Sequence, residues 1–393
     1  MAARCEPGPG AALMGEPEQE SPRPEPAFVY TEADLFRSGI RWDGERPDSR
    51  FDQALRSAWE RRMRAGCFRY RLWGPELPAR ELPGPRRLLA QLNVRRATER
   101  RPPQEILSVR QPFDPQRFNF SRVPHREILF PLRRSPSAEA AAPGGGPREP
   151  GGGPGGDAEA LLIINVSPLE YGHVLLLPEP GRLLPQCLTR ASVLRALELV
   201  FLSSEPAFRV GFNSLGAFAS VNHLHLHGFY LRHRLELERA PTEPLAEAGL
   251  GARVHRLCGH HTRGLVLYSD GGERDRARVA DALLAVSDLL LRRSLAHNLL
   301  LSRGCPLGRR PPQPDGRDGV RLVLWPRRSC FGAKDGAAFN VAVCELAGFL
   351  PVHTAPHFES LTEEAALRVI GEQLLPAQRF SELCAEIAGL PGH

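Results

Sequence analysis

The run His223-Leu224-His225-Leu226-His227 constrains this chain more than any other part of its 393 residues. Side chains in a β-strand alternate between faces, so three imidazoles two residues apart line one surface at roughly 6 to 7 Å per step. Leu224 and Leu226 then point to the opposite face, which suits burial against a helix. The run is therefore expected on a strand, read as 221–230, in a sheet with one packed face. The flanking sequence supplies the rest of such a fold. Order begins near Phe28, and strand-like runs lie at 88–94, 127–130, 161–166, 173–178 and 208–213. Phe51, Leu55, Ala58, Trp59 and Met63 recur at helical spacing within 51–71, with Asp48-Ser49 offering an N-cap, and 191–203 reads as a second helix. Beyond residue 240 come a helix over 276–295, strands at 298–302 and 320–325, and a helix over 336–348. Strands mixed with long helices point to an α+β fold.

Three imidazoles in a row support two chemistries. Neutral imidazole ligates zinc, copper, iron or nickel. It also attacks phosphorus, with neighbouring groups orienting it and donating hydrogen bonds. A chance cluster of surface or core histidines is the bland alternative. A metal centre calls for further Cys, Asp or Glu ligands close by, and Asn222 and Gly228 flank the run instead. Composition narrows the partner. The formal charge is +6, from 51 Lys plus Arg against 45 Asp plus Glu, but the basic residues are thinly spread and nearly all Arg. Without a basic stripe or Lys-rich tail, no nucleic-acid partner is expected, while a modest positive field favours an anionic small molecule.

Cys5, Cys67, Cys187, Cys258, Cys305, Cys330, Cys344 and Cys384 form no CxxC pair and no regular framework. They read as reduced thiols of a cytoplasmic protein. Residues 1–27, rich in Pro, Glu and Gly, read as a disordered leader without the apolar core of a signal peptide. Residues 135–158 form a second Gly- and Pro-rich segment, read as a flexible insertion because strand-like sequence flanks it. No stretch reaches the ~18 apolar residues that a membrane span needs, so no membrane partner is expected.

The segment NHLHLHGFY at 222–230 matches the His-φ-His-φ-His-φ-φ signature of the histidine triad superfamily, to which galactose-1-phosphate uridylyltransferases belong. INVSPLEYGHVLLLPEP at 164–180 resembles the superfamily's other marked segment, with Pro168 and His173 ahead of a strand. Longer blocks narrow the likeness: RRPPQEILSVRQPFDPQRFNFSRV at 100–123 and CFGAKDGAAFNVAVCELAG at 330–348 look like those of the GDP-hexose phosphorylases. The likeness runs from Phe28 onward, apart from the Gly- and Pro-rich segment. Plant members acting on GDP-L-galactose typically carry Gln at the third triad position. His227 here favours the animal branch.

That resemblance implies an antiparallel sheet flanked by helices, in two halves: a catalytic one over 28–239 and a second over 240–393 without a triad. It implies small-molecule substrates, GDP-D-glucose and inorganic phosphate, with His225 as nucleophile, His223 and His227 stabilising charge, and His173 orienting the nucleophile. Asn213 and Ser220 fall where the superfamily places ribose and phosphate contacts. Arg110, Gln111 and Asn119 are candidates for the guanine or phosphate pocket, against the equal alternative of a proline-turned packed loop. Lys334, in a chain where lysine is rare, is a candidate phosphate contact or a simple loop residue. No cofactor or metal is implied, and a monomer is compatible with a sequence that does not report oligomeric state. A hydrolase of the same superfamily is the competing enzyme reading. A non-catalytic nucleotide- or RNA-binding protein is the competing non-enzyme one.

Overall fold

The computed structural model describes residues 22–72, 77–136, 160–309, 316–331 and 338–391. The first half contributes β1 (Phe28–Tyr30), α1 (Arg50–Arg64), β2 (Ala79–Glu81), β3 (Leu89–Leu92), α2 (Val94–Glu99), β4 (Ile128–Arg134), β5 (Ala160–Ile164), β6 (Val174–Leu177), α3 (Arg190–Leu202), β7 (Phe208–Asn213) and β8 (Leu226–Tyr230). The second contributes β9 (Thr242–Pro244), β10 (His255–Leu257), β11 (Leu265–Ser269), α4 (Glu273–Arg292), β12 (Ala296–Gly304), β13 (Gly319–Arg327), α5 (Val343–Leu346), β14 (Phe349–Val352), α6 (Ala355–Ser360), α7 (Glu363–Gln373) and α8 (Ala377–Ala388).

Eleven strands form one sheet, in the order β1-β4-β5-β6-β8-β7-β12-β13-β11-β10-β9. Its neighbours are antiparallel except β1 beside β4. The order contains a repeat. Three strands, a helix and two transposed strands give β4-β5-β6-β8-β7 on one side and β9-β10-β11-β13-β12 on the other, joined where β7 pairs with β12. This is the two-half α+β arrangement expected from the sequence.

Burial on the two faces follows the strand alternation. Leu224, Leu226, Val210 and Phe212 pack with Leu299 and Leu301 into a core covered by α1, α3, α4 and α8. On the opposite face, Phe229, Leu300, Val323 and Trp325 pack against β3, α5, β14 and α7. The site lies on this second face. Helix α1 is amphipathic and starts where Ser49 Oγ accepts the Asp52 N–H at 3.0 Å. It ends at Arg64, short of the expected 71, because Gly66 turns the chain left-handed at φ +69°.

Two further expectations are corrected. The strand read as 221–230 begins only at Leu226. The main chain ahead of it bonds elsewhere: Leu224 N–H to the Leu184 carbonyl at 2.9 Å, and His225 to the side chain of Gln186. The helix read as 336–348 is a single turn, Val343–Leu346; residues 336 and 337 lie outside the described residues. Gly348, at φ +99°, then releases the chain into β14, which pairs with β3. Ahead of the single turn the chain is held by distant partners, the Ala338 carbonyl accepting the His353 N–H at 2.9 Å and the Val343 N–H donating to Asn213 Oδ1, and these override the local helical spacing.

Buried charge ties the halves together. Arg209 on β7 places Nη2 2.7 Å from Glu238 Oε1, Arg317 ahead of β13 reaches Glu238 Oε2, and all three side chains are at most 1% exposed. Glu238→Gln leaves two buried guanidiniums short of a carboxylate. It is expected to lower unfolding free energy by about 3–5 kcal/mol, read as a fall in the urea midpoint at unchanged slope.

Candidate active site

Gln186, fully buried, holds the chain on which the histidines ride. Its Oε1 accepts the His225 N–H at 2.9 Å, while Nε2 donates to the His225 and Asn213 carbonyls, both at 3.0 Å. Its own N–H donates to Asn222 Oδ1 at 2.9 Å. One amide side chain thus fixes the nucleophile candidate to the end of β7.

The imidazole tautomers follow from their partners. Nδ1 of His225 lies 2.7 Å from the His223 carbonyl, which can only accept, so Nδ1 carries the proton and Nε2 the lone pair. His225 is 2% exposed, and burial lowers its pKa to about 4, which leaves it neutral at pH 7. His173 Nδ1 accepts the Leu169 N–H at 2.8 Å, so neutral His173 is protonated at Nε2 and donates to His227 Nδ1 at 3.0 Å. The Asn165 amide nitrogen, 3.3 Å from that same Nε2, is then not donating to it. Burial first, and the charge of Arg96 second, push His173 well below the usual imidazole range. His225 and His227 have ring centroids 5.1 Å apart.

His223 departs from the sequence expectation. It accepts the Phe120 N–H at Nδ1, 3.0 Å away, and faces the Pro180 carbonyl. Its ring stacks on Phe120 at 5.7 Å and does not line the cleft that holds His173, His225 and His227. Three residues ahead of β8, the His223 ring is captured by the Phe120 N–H and turned out of the row. Its carbonyl still serves the site by setting the tautomer of His225.

The cleft lies between the halves. Phe120, Asn213, Ser220 and the three histidines line one side; Asn340, Val343, Cys344, Glu345 and His353 line the other. Asn213 Oδ1 accepts from Asn298 Nδ2 at 2.6 Å and from the Val343 N–H at 3.1 Å, which locks the two sides at the base. Phe120 meets His225 edge-on at 4.9 Å and shields it from water.

Other expected contacts fall elsewhere. Arg110 is exposed, and its N–H donates to Ser108 Oγ. Gln111 braces its own loop, accepting the Leu107 N–H at 2.9 Å, and Asn119 accepts the Ser121 N–H at 3.1 Å. None of the three lines the cleft. The FDPxxFNF stretch is the packed turn, and Phe120 is what it delivers. Lys334 lies outside the described residues. Sequence reasoning missed Gln186, a lone amide in a loop with no signal, and Arg96, Arg100 and Arg101, whose clustering was visible.

A family model described as GDPGP1-like, N-terminal domain, matches residues 50–229, and its C-terminal counterpart matches 236–392. GDP-D-glucose phosphorylase 1 of Homo sapiens is 46% identical over 372 residues, 93% of this chain and 92% of that one. The chain belongs to the GDPGP1-like family. Within this family GDP-D-glucose phosphorylase 1 of Macaca fascicularis is 47% identical over the same coverage. GDP-L-galactose phosphorylase 2 of Arabidopsis thaliana is more distant, at 30% over 90% of this chain and 79% of that one. The fold matches that of yeast Ap4A phosphorylase Apa2 in complex with AMP, with a TM-score of 0.54 at 13% identity over 84% of this chain and 97% of that one.

Gln186→Leu keeps the volume but strips the His225 main chain of both partners. An expected loss of about 2–4 kcal/mol is checked by urea unfolding. Folding also holds His225, His261 and His297 at pKa values of about 4, below the imidazole value of 6.5. Above pH 6.5 folded and unfolded chains bind the same protons at these sites. As pH falls from 6.5 to 4 the unfolded chain binds more, so stability is lost across that window. Calorimetric Tm is expected to fall steadily from pH 7 to pH 4.

Proposed function

We propose that this protein is a GDP-D-glucose phosphorylase, converting GDP-α-D-glucose and inorganic phosphate to GDP and α-D-glucose 1-phosphate through a guanylyl-histidine. The observation that carries the reading is the tautomer of His225, a buried neutral ring with its lone pair at Nε2 beside the His173–His227 pair. Membership of a family whose relatives bear that enzyme name supports it.

In the first step Nε2 of His225 forms a bond to the α-phosphorus. The bond to the bridging oxygen breaks, and its electron pair leaves with glucose 1-phosphate. The ring becomes cationic while Nδ1–H stays on the His223 carbonyl, which stabilises that charge. In the second step a phosphate oxygen attacks the same phosphorus, and the P–N bond returns its pair to Nε2. A phosphate monoester leaves readily, so the main task is to hold and neutralise phosphoryl oxygens. His227, whose Nδ1 accepts from His173, is protonated at Nε2 and serves as a donor. Ser220 and Asn213 are candidate contacts to phosphate and ribose. Residues 28–239 then form the catalytic half and 240–393 the second, with the cleft drawing on both. The reading places the enzyme in the cytoplasm, which suits the seven free thiols among the described residues.

The test is a phosphorolysis assay on a panel of GDP- and UDP-hexoses, with and without phosphate. GDP-D-glucose is expected to turn over only with phosphate, and without it a peptide containing residues 223–227 should gain the mass of a guanylyl group. His225→Ala should lower kcat by about 10³-fold or more. Phosphate-independent release of GMP would assign the hydrolase instead, and unchanged turnover in His225→Ala would sink the mechanism.

A further inference from the structure

The wall of the cleft built from α2 and the segment after β5 carries polar groups that the described residues leave unsatisfied. Arg96 and Arg100, one turn apart at the end of α2, line the cleft together with Ser167, His173 and His227. Arg96 donates to the Ser167 carbonyl, which anchors it, and its charge acts on both His173 and Arg100. Arg100 is partly buried, and among the described residues its guanidinium has neither a carboxylate nor a hydrogen-bond partner. Burial, and then the like charge of Arg96, lower its pKa from the usual guanidinium value. Ser167 is 4% exposed, and its Oγ, shut off from solvent, has no partner among the described residues. The next residue is a useful contrast: Arg101 lies over the Phe118 ring, 3.3 Å from its centroid, and feels the charge of Glu127. Its charge is engaged. That of Arg100 is not.

Two like charges held together and a buried hydroxyl without an acceptor are costly in a folded chain unless an anion completes them. We infer that Arg96, Arg100 and Ser167 form a subsite for a phosphate dianion, which holds inorganic phosphate as acceptor and, one step earlier, the phosphate of departing glucose 1-phosphate. The inference rests on the phosphorylase reading above and assigns that reading's second substrate a place. In-line displacement requires it to be one place. His225 attacks opposite the leaving oxygen, and the acceptor must then attack opposite His225, so leaving group and acceptor occupy the same side of the phosphorus in turn. The location agrees, since Ser167 and Arg96 adjoin His173, and His173 touches His227 beside the nucleophile. The acceptor attacks through an unprotonated oxygen, the P–N bond returns its electron pair to Nε2, and any proton on the acceptor stays on what becomes the β-phosphate of GDP. Guanidinium pairs suit such an oxyanion because their donors are planar and permanently charged.

Arg100→Gln, Arg100→Lys and Ser167→Ala in the full chain test this. The readouts are the KM for phosphate, the Ki of glucose 1-phosphate against phosphate, and the Kd for GMP. In Arg100→Gln the first two should rise together by about 10- to 100-fold, with GMP affinity within twofold and partial recovery in Arg100→Lys. Ser167→Ala, which removes only an oxygen, should raise the same two constants by a smaller factor and keeps the test open if Arg100→Gln does not fold. A phosphate KM within twofold of wild type in both Arg100→Gln and Ser167→Ala would overturn the subsite, while phosphate-dependent turnover by wild type left the phosphorylase reading standing. Weaker GMP binding at unchanged phosphate KM would give the arginines to the nucleotide and also overturn it. Wild-type turnover without phosphate would remove the reading beneath the subsite.

Discussion

Asn213 and Asn298 face each other where β7 pairs with β12, and the site hangs from that meeting. The Asn298 amide donates to the Asn213 side chain, the Asn213 carbonyl accepts from Gln186, and Gln186 grips His225 by both main-chain groups. Strand pairing across the two halves is thereby carried, bond by bond, to the nucleophile candidate. Val343 on the far side of the cleft donates to Asn213 Oδ1, the oxygen that also accepts from Asn298, so the two walls meet at this one amide. Arg327, with Nη1 3.3 Å from Asn298 Oδ1, closes the arrangement from β13.

Burial does two jobs at the histidines, and they pull in opposite directions. It keeps His225 and His173 neutral at physiological pH, as nucleophilic attack and a directed hydrogen bond require. It also means that folding gives up the protonation these rings would gain in water below pH 6.5. A neutral ring can still be useless if its proton sits on the wrong nitrogen. The carbonyl of His223 and the N–H of Leu169 settle that question with no ionised partner among the described residues.

Much of the fold was legible because periodicity dominates where an element is buried on one face. β7, α3 and α4 all lie within a few residues of the expected spans, and Leu224 and Leu226 turn to the helical layer as alternation demands. What sequence spacing could not reveal was long-range hydrogen bonding. The strand stopped short of 221 because Gln186, 39 residues before His225, captured the chain, and the helix at 336–348 shrank to one turn where the Ala338 carbonyl accepts from His353 and the Val343 N–H donates to Asn213. The same limit applied to the site. His225, His227 and His173 could be placed from motif and alternation, whereas Arg110, Gln111 and Asn119 were polar residues in a marked segment whose groups serve their own loop. Side-chain type showed what they could bind, and only packing showed which way they face.

The order in which the sheet is laid down along the chain has a consequence for biosynthesis. On a ribosome, β7 is complete about 80 residues before its neighbour β12 emerges, since their paired residues are Asn213 and Asn298. During that interval the nascent chain carries a buried-type strand, FRVGFN, with one open hydrogen-bonding edge and no charged residue but Arg209 to discourage pairing with another nascent copy. The counter-ion for that arginine, Glu238, is made within 30 residues, well ahead of β12. Once Glu238 pairs with it, that charge is neutralised, so the edge that later becomes the centre of the molecule waits for β12 without a free charge to protect it.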